Sequence, residues 1–264
     1  MSEPKRLQVE NLKIEVHASR RAAGEAAARA AAQSLRQLAK ERAAVGVIFA
    51  TGASQLETLH ALTTIPDLPW DHVVGFHMDE YVGLPADHPA SFRRYLRENL
   101  TSRVHLAEFH EIDGTVPDPE LQCEEYAAAL RSRDPQLCLL GIGENGHLAF
   151  NDPAEADFSD PADMKIVTLD TVCRQQQVAE GWFAGLGDVP PRAMTLTIPT
   201  LLRVPKLIAS VPGSRKAQIV RRTLQEPIST ACPATIFRMH PDVTLYLDLE
   251  SAAELDQLRS AAEG

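Results

Sequence analysis

The sequence predicts one α/β domain, a single doubly wound, mostly parallel sheet with helices on both faces. Three observations predict it. Continuous apolar runs at residues 45–50 (VGVIFA), 137–140 (LCLL), 206–211 (KLIASV) and 243–247 (VTLYL) read as strands buried on both faces. Helical patterns lie between them, the alternation that yields a parallel sheet. No linker or internal repeat divides the 264 residues, a length that one large core can organise.

Composition narrows the function. Hydrophobic content of 44% and charged content of 23% are those of an ordinary globular protein. The net charge of −10 argues against nucleic acid and anionic membrane surfaces as partners. A small anionic substrate stays open, because a local basic cluster can oppose the global sign. Cys123, Cys138, Cys173 and Cys232 are scattered without CxxC or CxxH spacing, which predicts reduced thiols rather than zinc ligands or a disulfide framework. The N-terminus is charged and lacks an apolar signal region, and no run approaches the roughly 18 apolar residues of a membrane span. The expectation is a cytoplasmic protein; a homo-oligomer is compatible with the sequence.

In chain order, residues up to 16 read as an extended lead-in. Ser19 is placed to cap the Ala-rich helix 20–44. The 45–50 strand runs into Thr51, Gly52, Ala53 and Ser54 and then a helix over 56–62. Free N–H groups and the helix dipole at such a start suit an anion. The same segment also reads as an ordinary capped turn, since it is neither GxxxxGK[ST] nor GxGxxG. A strand at 73–76 ends near Asp79 and Glu80, at the carboxyl edge where α/β sheets place ligands. Extended backbone points these two acids to opposite sides, so one can face a ligand while the other braces the loop. Solvated acids in a turn are the alternative. Ser91 is placed to cap a helix over 92–100, followed by a strand at 109–112 and a helix at 117–131.

The strand at 137–140 opens into residues 141–153, GIGENGHLAFNDP. Its glycines allow a tight turn and close approach to a ligand. His147, set between Asn145 and Asp152, can exchange protons near neutral pH. Residues 154–163 are acidic and proline-broken, which suits a mobile lid extending to about residue 185. Strands follow at 166–169 and 193–198, on either side of the polar segment 174–183. The 206–211 strand ends in Pro212 and Gly213 before a helix to about 224. Lys216, in that helix's first turn, opposes the dipole, which a bound anion would explain and a solvent-facing position would also permit. His240 reads as structural, and residues 252–262 as a closing helix.

Taken together, ATGASQ at 50–55, MDEYVGL at 78–84, GIGENGHLAFNDP at 141–153 and GSRKA at 213–217 resemble the glucosamine-6-phosphate deaminase/isomerase family, whose superfamily includes 6-phosphogluconolactonase. The resemblance implies an enzyme that isomerises an amino-sugar 6-phosphate and releases ammonia, without cofactor or metal. It implies Asp79 as the base at C2, His147 as the ring-opening group, and Asp152 and Asn145 as its supporting network. It implies phosphate binding by Thr51, Gly52, Ala53, Ser54 and Lys216, aided by an arginine from the lid region, for which Arg174 is the candidate, with Arg192 and Arg215 behind it. Glu80 and Gly146 complete the expected substrate site, Glu80 mainly as a structural group. The chain departs from the family pattern at Asn145 (aspartate in some members), Asp152 (glutamate), Ala53 and Gln55. Three rival readings remain: a deaminase for the galacto epimer, a lactonase on the same fold, and a sugar-phosphate sensor without chemistry.

Overall fold

The computed structural model describes residues 3–255. Its frame is an eight-stranded sheet. Strand β1 (Lys5–Val9) pairs antiparallel with β2 (Leu12–His17), so the expected extended lead-in is a hairpin that joins the sheet. Beyond it lie β3 (Val45–Phe49), β4 (Val73–His77), β6 (Glu108–His110), β7 (Leu137–Leu140), β10 (Lys206–Ser210) and β11 (Val243–Asp248). The spatial order is β1-β2-β11-β10-β7-β3-β4-β6, and every pairing after the first is parallel. The helix expected at 252–262 falls largely outside the described residues.

Both faces of the sheet are covered, as the apolar runs require. Val45, Val47 and Phe49 point to one face, with Leu139 and Ile208, where α1 (Arg20–Glu41) and α2 (Leu56–Thr64) pack. The Ala-rich sequence of α1 lets its backbone lie close to the sheet: Ala23, Ala27, Ala28, Ala31 and Ala32 are buried, and a Cβ on Gly24 would strike Glu57. Ile48, Phe76, Cys138, Leu140 and Ala209 point to the other face, under α4 (Pro119–Arg133) and α7 (Ala217–Gln225).

A second, smaller sheet was not separated by the sequence reading. Strand β9 (Arg192–Leu196) pairs antiparallel with β5 (Asp79–Tyr81) on one side and β8 (Met164–Thr168) on the other. Helix α5 (Thr171–Ala179) packs against it through Cys173, beside Tyr81, Phe150 and Phe183. The sheet holds Asp79 at the edge of the main sheet.

Chain direction reverses between β3 and β7. From β3 the chain steps outward to β4 and β6; from β7 it steps the other way, to β10 and β11. Adjacent loops therefore part at the carboxyl ends of β3 and β7, which opens a crevice for a ligand. All four cysteines are buried and unpaired. Among the described residues, no helix is long and apolar enough to cross a membrane.

Candidate active site

A cleft of about 330 Å³ occupies that crevice. Its floor is made by turns at the ends of β3, β7 and β10, and one wall by Asp79. Two of the turns share a design. After β3, Gly52 adopts φ +93° and a single 3-10 turn (Ala53–Gln55) leads into α2. After β10, Gly213 adopts φ +96° and a 3-10 turn (Ser214–Lys216) leads into α7. A left-handed glycine followed by a helix start aims backbone N–H groups at one point, an arrangement suited to a phosphate. Gln55 and Lys216 occupy matching places in the two turns. The Gln55 amide is spent within the protein, on Leu140 O at 3.1 Å and Ser210 O at 3.4 Å. Lys216 lines the cleft, is buried, and has no acid within ion-pair distance among the described residues. Burial lowers its pKa against the weaker pull of Glu180 and Glu144.

His147 is fixed by a network behind the cleft. Asn145 Nδ2 donates to Asp152 Oδ1 at 2.9 Å and to Asp170 Oδ2 at 3.2 Å. That orientation leaves Asn145 Oδ1 to accept from the His147 backbone N–H at 3.0 Å and from its Nδ1 at 2.8 Å. Nδ1 also lies 3.0 Å from Asp152 Oδ1. Nδ1 is thus the protonated nitrogen, and Nε2 is free to take or give a proton. The ring abuts Gly143, where a Cβ would come within 2.2 Å of Nε2, so only glycine admits it. Burial pushes the Asp152 carboxyl up, but hydrogen bonds from His147 and Asn145 and the attraction of His147 outweigh it, leaving its pKa below the usual value. His147, Asp152 and Cys173 bring one metal-capable atom each within 4.8 Å of one another, but these donors already hydrogen-bond each other.

Asp79 is buried in the cleft wall. Burial, and then repulsion from Glu80, raise its pKa well above the usual carboxylate range. No basic side chain pairs with it among the described residues. Glu80 points the other way, as the strand period demands. Its carboxylate accepts from Tyr81 N at 2.9 Å, Ser91 Oγ at 2.8 Å, Phe92 N at 3.3 Å and Arg93 N at 3.1 Å. Glu80 therefore caps helix α3 (Phe92–Leu96) in place of Ser91, whose hydroxyl is a donor here.

Of the expected site residues, Asp79, His147, Thr51, Gly52, Ala53, Ser54 and Lys216 line the cleft, with Asn145 and Asp152 directly behind. Three expected contacts need correction. Glu80 is wholly buried by its capping role and does not reach the cleft. Gly146 makes a left-handed turn against Cys232 and Ile219, and its carbonyl accepts from Ala234 N. Arg174 turns outward, donating to Leu186 O at 2.6 Å and Val189 O at 3.0 Å, so its guanidinium braces the loop after α5. Arg192 lies 3.5 Å from Glu120, away from the cleft, while Arg215 is in it. The sequence reading missed Arg20, Gln176, Gln177 and Glu180, which also line the cleft. Gln176 and Gln177 belong to the CRQQQ segment and are two of the three buried side chains of α5, with Cys173 the third. Of the segment 154–185, it is α5 and Glu180 that reach the cleft. Residues 154–163 are tied down, with Lys165 Nζ on Glu155 O at 2.6 Å and Asp160 at 2.9 Å, and Asp163 paired with Arg131 and Arg203.

Comparison with known proteins agrees with this fold. The family model for glucosamine-6-phosphate isomerases/6-phosphogluconolactonase matches residues 18–246. A glucosamine-6-phosphate deaminase of Exiguobacterium sibiricum is 36% identical over 184 residues, 70% of this chain and 71% of that one. One from Listeria innocua is 34% identical over 207 residues, 78% of this chain and 86% of that one. The solved structure of a monomeric glucosamine-6-phosphate deaminase superposes with a TM-score of 0.84 at 28% identity, over 91% of this chain and 99% of its own. A 6-phosphogluconolactonase from Thermotoga maritima shares the fold, with a TM-score of 0.73 at 21% identity over 89% and 98% of the two chains. The chain belongs to the family of glucosamine-6-phosphate isomerases and 6-phosphogluconolactonases.

Proposed function

We propose that the protein is an amino-sugar-6-phosphate deaminase/isomerase that converts glucosamine 6-phosphate and water to fructose 6-phosphate and ammonia. The observation that carries this reading is Asp79, a buried carboxyl in the cleft wall with no cationic partner among the described residues. An amino sugar supplies one. Its 2-ammonium group, brought beside Asp79, favours the carboxylate and makes a base at the carbon that must lose its proton. A lactone carries no such charge, and a sensor needs no base.

The steps follow from the groups present. The 6-phosphate binds at the paired glycine turns and Lys216. His147 Nε2 moves the proton between O1 and the ring oxygen, which opens the pyranose to the aldehyde. Asp152 and Asn145 hold the tautomer and stabilise the imidazolium that forms transiently. Asp79 removes the C2 proton, O1 takes a proton from the 2-ammonium group to give the enolamine, and the proton held by Asp79 passes to C1. This leaves an imine at C2. Water adds there, the C–N bond breaks, nitrogen leaves as ammonia, and the oxygen of water becomes the ketone.

The test is to give purified protein glucosamine 6-phosphate, galactosamine 6-phosphate and 6-phosphogluconolactone, measuring ammonia, ketose phosphate and acid. Ammonia with fructose 6-phosphate from the first is expected. Ammonia from the galacto epimer alone would move the substrate, acid from the lactone without ammonia would move the chemistry, and ammonia from neither amino sugar overturns the reading.

A further inference from the structure

A hexose 6-phosphate brings a dianion into a cleft that already holds Asp79, Glu180 and Glu250, in a protein of net charge −10. The family resemblance points to an arginine from the segment 154–185. Yet that segment brings Gln176, Gln177 and Glu180 to the cleft, and no cation. The guanidinium groups lining the cleft are those of Arg20 and Arg215. Arg215 is engaged with acids, its Nε 3.2 Å from Glu144 and its Nη2 3.8 Å from Glu180.

Arg20 stands differently. It is the first residue of α1, just after the cap Ser19, where a cation opposes the helix dipole. Its Nη2 donates to the carbonyl of Ala53, in the turn that starts α2. The guanidinium therefore meets the positive ends of two helices. One carboxylate, Glu57, lies 2.9 Å from Nε and offsets part of this. Of the five N–H donors of a guanidinium, only one makes a hydrogen bond: Nε sits at ion-pair distance from Glu57 but has no hydrogen-bond partner among the described residues.

Resting on the reading of the cleft as a hexosamine 6-phosphate site, we infer that Arg20 supplies the guanidinium that binds the 6-phosphate, together with the 51–54 turn and Lys216. The arginine comes from the fixed N-terminal helix rather than from the segment over the cleft. A planar fork held at a helix start is preorganised for phosphate oxygens, and the anion relieves the two dipoles it faces.

Calorimetric titration of fructose 6-phosphate and of inorganic phosphate tests this on the wild type, Arg20→Met, Arg20→Lys and Arg21→Ala. Arg21 is exposed and pairs with Glu25, so Arg21→Ala is expected to match the wild type. Arg20→Met is expected to weaken both ligands by about 10- to 100-fold, the range for one charge-assisted contact. Arg20→Lys keeps the charge but loses the fork, and is expected to weaken both by less. Circular dichroism checks folding; if Arg20→Met does not fold, Arg20→Lys binding like the wild type overturns the inference. Wild-type binding with Arg20→Met unchanged overturns this inference alone. A wild type that binds neither ligand overturns it together with the functional reading.

Discussion

Asp79 shows how a single residue can trade stability for chemistry. Its carboxyl is buried, faces the cleft and has Glu80 as its nearest charged neighbour along the strand. Because its folded pKa is raised, the folded state keeps a proton that the unfolded chain loses above about pH 4. Wild-type stability therefore falls as pH rises from there towards the folded value. Asp79→Asn removes the titration. It should be more stable than the wild type at pH 7, by on the order of 1–3 kcal/mol, with the gap closing near pH 3. The same variant should lose exchange of the C2 proton with solvent while still binding fructose 6-phosphate. Urea unfolding at the two pH values and proton exchange followed by NMR check both halves. Retained exchange would remove Asp79 from the role of base. The partners of His147 are fixed in turn, half-buried Asn145 donating to buried Asp152.

Helix α5 does two jobs at its first turn. Asp170 caps it, with Oδ1 accepting from Cys173 N at 2.6 Å, and Oδ2 accepts from Asn145 at 3.2 Å. The element that carries Gln176 and Gln177 to the cleft is thereby tied to the network behind His147. Asp170→Ala should cost about 1–2 kcal/mol as a lost cap and also lower kcat, by loosening Asn145. Asp118, which caps α4 by accepting from Leu121 N at 3.0 Å, is a matched control away from the cleft. Asp118→Ala should show a similar stability loss with kcat unchanged; equal kcat in both variants would make Asp170 a cap and nothing more. How well an element could be read from sequence follows the same physics. Strands β3, β7, β10 and β11 were legible because burial on both faces demands unbroken apolar runs. Strands at 166–169 and 193–198 were read, but not the separate sheet that they form with β5, because the three residues DEY leave no run to see and pair with β9 from far away in sequence. Nor was the exchange of caps at α3 legible, since Ser91 holds the usual cap position while Glu80 reaches it from eleven residues away.

At the scale of the whole molecule, the sheet order explains why segments so far apart in sequence converge. Neighbouring strands β10, β7, β3 and β4 end at one edge, carrying Lys216, His147, the 51–54 turn and Asp79 respectively. Each of these could be proposed from its motif: a glycine after a buried strand marks the edge for three of them, and paired acids at a strand end mark it for Asp79. Arg20 could not, because in sequence it is one more polar residue at the start of an Ala-rich helix. The convergence leaves a buried cation at the floor of the site: Lys216 is paired with no acid among the described residues and is placed against the start of α7. Burial lowers its pKa below 10.5, so between the folded value and 10.5 the unfolded chain binds a proton that the folded protein does not. Wild-type stability therefore rises with pH across that window, and Lys216→Met should exceed the wild type most at neutral pH. A bound phosphate reverses the order. It pairs with the ammonium, so inorganic phosphate or fructose 6-phosphate should raise the wild-type melting temperature and move that of Lys216→Met far less. The KM of the variant should rise by about 10- to 100-fold, the loss of one charge-assisted contact. Melting curves with and without phosphate, at pH 7 and pH 10, decide the matter: equal stabilisation of both proteins by phosphate would show that the anion does not sit on Lys216.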